Sequence, residues 1–167
     1  MILLLLTCLN LDLVTVADFS GSVEGHEQFI CSGISEIAKL DGEDLRQALI
    51  TFDYTSRLEY GFSQPEKFEC PSASGGTNLH SALVKAAELF DRNSGRVIVI
   101  ISDGVPDDIE MCLELANLLR ASGVRIYGVL INSSIASETV MKQISDVYVS
   151  TDYEHLVKEI KKLSFCF

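Results

Sequence analysis

Residues 14–22 read VTVADFSGS, an apolar run that stops at an aspartate and continues into two serines on alternate positions. Upstream, Leu9 to Ala17 is nearly continuous in apolar residues, the pattern of a strand covered on both faces. Asp, Ser and Gly are ordinary turn formers, so Asp18, Ser20 and Ser22 could simply end that strand. The rest of the chain has to decide between a plain turn and a site.

Working outward, strands and helices alternate. Phe29, Ile30, Gly33, Ile34, Ile37 and Ala38 recur at helical spacing, and Asp41-Gly42 closes that segment. Gln47 to Phe52 and Arg57 to Tyr60 predict two short strands around a DYTS hairpin turn. After a loop over residues 61–76, Leu79, Ala82, Leu83, Ala86, Ala87 and Phe90 mark an amphipathic helix capped by Thr77 or Asn78. RVIVIIS at 96–102 is the strongest strand pattern. A helix from Ile109 to Ser122, a strand from Arg125 to Ile131, a helix from Ser137 to Ile144 and a strand from Asp146 to Ser150 follow. Tyr153 to Leu163 is expected as a closing helix capped by Asp152. This order predicts a single α/β domain over residues 1–167, with a mainly parallel sheet and helices on both faces. Ligands of such sheets bind at the carboxyl ends of the strands, where VTVADFSGS ends.

Composition narrows the function. The 167 residues are 47% hydrophobic and carry a net charge of -11, which excludes wholesale disorder and argues against nucleic-acid binding. Thr7, Asn10, Asp12 and Thr15 interrupt the opening apolar run before it reaches membrane-spanning length. Residues 1–8 read as an apolar lead-in or the remnant of a signal peptide. Of five cysteines, Cys31 and Cys112 fall in helical patterns among apolar residues and are expected as buried free thiols. Cys8 and Cys166 lie at the two ends, where a bridge would tie the termini together in an oxidising compartment.

Three loops carry the candidate chemistry: Asp18, Ser20 and Ser22 in the first, Thr77 in SGGTN, and Asp103 in SDG. Two carboxylates and three hydroxyls form an all-oxygen set suited to a hard cation such as Mg²⁺. Each loop alone is common turn or cap chemistry. Asp107 and Asp108 follow Pro106 and read as first-turn residues of the next helix. His26 and His80 follow two of the loops and read as surface histidines near helix starts, with His80 also placed to touch a ligand.

The succession Asp-x-Ser-x-Ser, then Gly-Gly-Thr before a helix, then Asp-Gly after an apolar strand resembles the von Willebrand factor type A domain with a metal-ion-dependent adhesion site. LDLVTVADFSGSV, GGTNLHSALVKAAELF, RVIVIISDGVPDD and VYVSTDYEHLVKEIKKL all look like that family. The resemblance implies a Rossmann-like, doubly wound six-stranded sheet with one antiparallel edge strand. It implies that Ser20, Ser22 and Thr77 coordinate Mg²⁺ or Mn²⁺ directly, that Asp18 and Asp103 act mainly through bound waters, and that Gly76, Asn78 and His80 lie at the ligand-binding surface. The implied partner is a protein presenting Asp or Glu, without catalysis, outside the cell or at its surface. An intracellular assembly subunit using the same site is the alternative, and a Mg²⁺-dependent phosphoryl-transfer or hydrolytic enzyme a weaker one. No helix like the insert of collagen-binding integrin domains is evident, so collagen recognition does not follow.

Overall fold

The computed structural model describes residues 10–62 and 68–165. The strands are β1 (Leu11–Asp18), β2 (Arg46–Phe52), β3 (Ser56–Tyr60), β4 (Gly95–Ser102), β5 (Val124–Ile131) and β6 (Val147–Thr151). The helices are α1 (Glu27–Ala38), α2 (Leu79–Leu89), α3 (Ile109–Ala121), α4 (Ile135–Ile144) and α5 (Leu156–Ile160). One six-stranded sheet runs in the order β3-β2-β1-β4-β5-β6. All neighbours are parallel except β2 and β3, whose hairpin makes β3 the antiparallel edge.

The alternation of side chains along each strand divides the core into two layers. Leu11, Leu13 and Ala17 of β1, with Val97, Val99 and Ile101 of β4, pack against Ile30, Ile34 and Ile37 of α1 and Leu156 and Ile160 of α5. Val14, Val16, Ile98 and Ile100 point the other way, onto Leu79, Ala82, Leu83 and Ala86 of α2, Cys112 and Ala116 of α3, and Val140, Met141 and Ile144 of α4. Every residue of β1 is buried, including Asp12, Thr15 and Asp18, as expected of a mostly apolar strand covered on both faces. The chain leaves β1 through α1 to β2 on one side and returns through α2 to β4 on the other. The switch point therefore lies between β1 and β4, and in such sheets the crevice there faces the strands' carboxyl ends.

Element ends differ from the sequence reading where side chains intervene. The closing helix is shorter than Tyr153 to Leu163, because Tyr153 turns toward Asp103 and precedes the helical residues. Asp152 accepts a hydrogen bond from the His155 N–H at 2.8 Å and so closes the turn before the helix, while His155 holds the cap position of α5 and no side chain caps it. Helix α4 begins two residues earlier than expected, where Ser134 and Ser137 each bond the other's backbone N–H.

Cys31 is not the free thiol its apolar setting suggested. It forms a disulfide with Cys70, tying α1 to the loop before α2. The helical period that places Cys31 inside also aims it at this loop, and periodicity alone cannot separate the two outcomes. Cys112 is free and buried as expected, and burial pushes its thiol up to about 12. The Cys8 to Cys166 pairing lies outside the described residues.

Candidate metal centre

Asp18 is the last residue of β1, and Ser102 the last of β4 beside it. One Asp18 carboxylate oxygen accepts the Ser20 N–H at 2.8 Å, and the other accepts the Ser102 hydroxyl at 2.6 Å. The first bond closes a tight turn, the common use of an aspartate at a strand end, and it delivers Ser20 and Ser22 to the same side. Their hydroxyl oxygens lie 3.0 Å apart, and the Ser22 hydroxyl donates to Asp103 Oδ1 at 2.6 Å. A continuous file of oxygens thus joins the ends of β1 and β4. It grades from Asp18 and Ser20, both buried, to Ser22, which is exposed.

Thr77 arrives by a different route. Gly21 donates its N–H to the Gly75 carbonyl at 3.0 Å, and Ser74 donates to Phe19 O at 2.9 Å, which ties the loop before α2 to the turn after β1. Asp107 then accepts the Thr77 N–H at 2.8 Å while its own N–H donates to Thr77 O at 3.0 Å. Among the described residues, the Thr77 hydroxyl makes no hydrogen bond to the other four. Its loop is held by the backbone bonds to the first turn and by the Asp107 carboxylate, which leaves the Thr77 side chain able to turn toward the oxygen file. Asp107 is thus a clamp on Thr77, while Asp108 caps α3 by accepting from Met111 N–H.

Gly75 has φ +77°, and a β-carbon there would lie 2.3 Å from Cδ2 of Tyr54, whose ring covers the turn. Both backbone and space demand glycine. Gly75→Ala is expected to destabilise the chain by about 1–3 kcal/mol, measured by urea unfolding. Tyr54→Ala should restore only the part due to contact, and full restoration would show that backbone strain is negligible.

The electrostatics favour a cation. Burial raises the Asp18 carboxyl, hydrogen bonds from Ser102 and Ser20 oppose that rise, and the nearby Asp103 charge adds to it. Among the described residues neither Asp18 nor Asp103 has a Lys or Arg ion-pair partner, in contrast to Asp12 and Asp53. No cluster of three or more His, Cys, Asp or Glu side chains suited to a metal occurs among the described residues. The five side chains offer only carboxylate and hydroxyl oxygens, a chemistry that fits a hard divalent ion and is poor for a soft one.

Two neighbours of this set carried no motif. Ser102 holds Asp18, and the Tyr153 hydroxyl donates to Asp103 Oδ2 at 3.0 Å. Burial first, and then Asp103, raises the Tyr153 phenol, so it stays a donor. Ser102 could have been found from the strand register with β1, whereas nothing in VSTDYEHL distinguishes Tyr153. His26 stacks on the Tyr153 ring with centroids 4.3 Å apart. Gly76 packs beneath Tyr54 and against Asp107. The Asn78 side chain accepts from Ser81 N–H and donates to the Tyr54 carbonyl, so it braces the loop. His80 sits at the second residue of α2, half-buried, and joins none of the five.

The von Willebrand factor type A domain model matches residues 12–162. The chain belongs to this family. No curated protein matches this type A domain significantly in sequence. Among solved structures it is similar to proximal thread matrix protein 1 from the mussel byssus with a zinc-occupied MIDAS motif, at 19% identity and TM-score 0.79 over 93% of this chain. The type A domain spans 45% of that mussel structure. Manganese-loaded TRAP protein of Plasmodium vivax matches at 18% identity and TM-score 0.68, over 90% of this chain and 72% of its own. The SpRpn10 VWA domain matches at 11% identity and TM-score 0.71, over 95% and 97%. At these identities the likeness is one of fold.

Proposed function

We propose that this type A domain is a non-catalytic binding module that captures a carboxylate of a protein partner through a divalent cation held by Asp18, Ser20, Ser22, Thr77 and Asp103. The observation that carries the reading is the uncompensated pair Asp18 and Asp103, joined by serine hydroxyls at the switch point of the sheet. Ser20, Ser22 and Thr77 would supply direct oxygens, with Asp18 and Asp103 behind them. Neutral hydroxyl ligands leave the bound Mg²⁺ or Mn²⁺ with enough positive charge to attract an Asp or Glu side chain. The family commonly binds metal in adhesion and protein interaction, and two of the matched structures hold zinc or manganese.

Among the described residues no histidine or lysine hydrogen-bonds to any of the five side chains, which favours binding over hydrolysis. The Cys31–Cys70 disulfide favours an oxidising compartment, and so a place outside the cell or on its surface. No helix among the described residues is long and apolar enough to cross a membrane.

Calorimetric titration of Mg²⁺ and Mn²⁺ into chelator-treated protein tests the site. One-to-one binding is expected, weakened about 10- to 100-fold or more in Asp103→Ala, the less buried carboxylate. At a free-ion concentration about 100-fold above Kd the metal should stabilise the wild type by about 2.7 kcal/mol. Unchanged affinity in Asp103→Ala would refute the assignment.

A further inference from the structure

Beside the oxygen file, a cavity of about 380 Å³ opens at the same edge of the sheet, lined by His26, Phe29, Asn132, Asp152, Tyr153 and Glu154. It shares a wall with the candidate metal centre, because the Tyr153 that lines it also bonds Asp103. Three aromatic rings in contact line it: His26 stacked on Tyr153, and Phe29 tilted against Tyr153 with centroids 5.8 Å apart and 40% of its surface exposed. Two carboxylates, Asp152 and Glu154, flank Tyr153 in the same lining. Asp152 is engaged by the His155 N–H and Nδ1, at 2.8 Å each. Glu154 is exposed and, among the described residues, its carboxylate has neither a hydrogen-bond nor an ion-pair partner. Among the described residues no Lys or Arg lines the cavity.

Aromatic rings and an unpaired carboxylate lining one cavity, in a chain of net charge -11, complement a cation that is also planar. A guanidinium meets both demands, stacking on a ring while its fork pairs with a carboxylate, whereas a lysine ammonium is a compact, strongly hydrated charge. We infer that this cavity is a second subsite, which takes an arginine side chain of the same protein ligand whose carboxylate is captured at the neighbouring centre. That coupling rests on the function proposed above; the arginine preference of the cavity does not. The ligand so defined is zwitterionic, with its acidic residue set apart from an arginine by about the width of the Tyr153 side chain. An acidic segment lacking the arginine would occupy only half the surface.

The test uses N-acetyl-arginine methylamide and its neutral isostere N-acetyl-citrulline methylamide, titrated into the whole chain in chelator and followed by NMR of the aromatic resonances. Neither probe carries a free carboxylate, so the result is independent of metal capture, which the calorimetric titration reads separately. Saturable shifts at Phe29, His26 and Tyr153 are expected with arginine, at least several-fold tighter than with citrulline. They should weaken in Glu154→Gln, an exposed position where folding is not at risk, and weaken further with added salt. Equal binding of the two probes, no saturable shift with arginine, or full arginine affinity in Glu154→Gln overturns the inference.

Discussion

Replacing Cys31 and Cys70 together by alanine should lower the unfolding free energy by about 4 kcal/mol. The bridge closes a loop between residues 39 apart in sequence, and in the chain-entropy account its removal frees the unfolded chain over that whole stretch. Part of the effect is local as well. The loop carries Gly75, Gly76 and Thr77 to the oxygen file, and its remaining ties include the Ala73 N–H to Glu27 Oε1 at 3.1 Å, the backbone bonds from Ser74 and Gly21, the Asp107 clamp on Thr77 and the Asn78 brace. Those hydrogen bonds are each worth about 1 kcal/mol net, so they hold the loop's shape but cannot replace the covalent link. Guanidinium unfolding of the double variant, beside reduced and oxidised wild type, measures the loss. The reduced wild type should match the variant closely, and a difference under about 1 kcal/mol between oxidised wild type and variant would contradict the chain-entropy account.

Much of the architecture was legible before any coordinates, for identifiable reasons. The middles of β1 and β4 are buried on both faces, so their residues are mostly apolar, and the period of the helices between them is equally plain. The oxygen set was legible because three loops with turn chemistry each placed an oxygen donor at the same edge of one sheet. What remained hidden was long-range. Cys31 and Cys70 belong to different elements, and no local signal pairs them. Tyr153 reaches Asp103 across fifty positions, and it shortens the helix that its neighbours predict. Asp107 looked like a helix-start residue because Asp108, one position later, is one. In each case a side chain's partner was decided by tertiary packing, which a local pattern does not encode.

Asp12→Ala should cost about 3 kcal/mol, toward the low end of what is lost when one member of a buried ion pair is removed. Asp12 lies near the start of β1, its side chain fully buried, and it accepts from Arg46 Nε and Nη2, Arg92 Nε and Nη2, and the Ser94 hydroxyl. Removing the carboxylate leaves two guanidiniums facing each other. Each keeps an outer partner, Asp91 for Arg46 and Asp44 for Arg92, and a quarter of its surface in water, which limits the damage. Burial by itself would raise the Asp12 carboxyl, but the hydrogen bonds from Arg46, Arg92 and Ser94 outweigh it and hold the group below the ordinary carboxylate range. A depressed carboxyl contributes stability that is complete above its unfolded-state value and disappears as pH falls through its folded-state value. The wild type should therefore lose more stability on acidification than the variant does, and the two curves should converge at low pH. Six residues of extended chain, about 20 Å, separate Asp12 from Asp18. Mn²⁺ affinity measured well below the unfolding transition should consequently be the same in both proteins. A variant as stable as the wild type at neutral pH would show that the two arginines find other partners; a variant that also loses metal would show that the sheet transmits the damage from one end to the other.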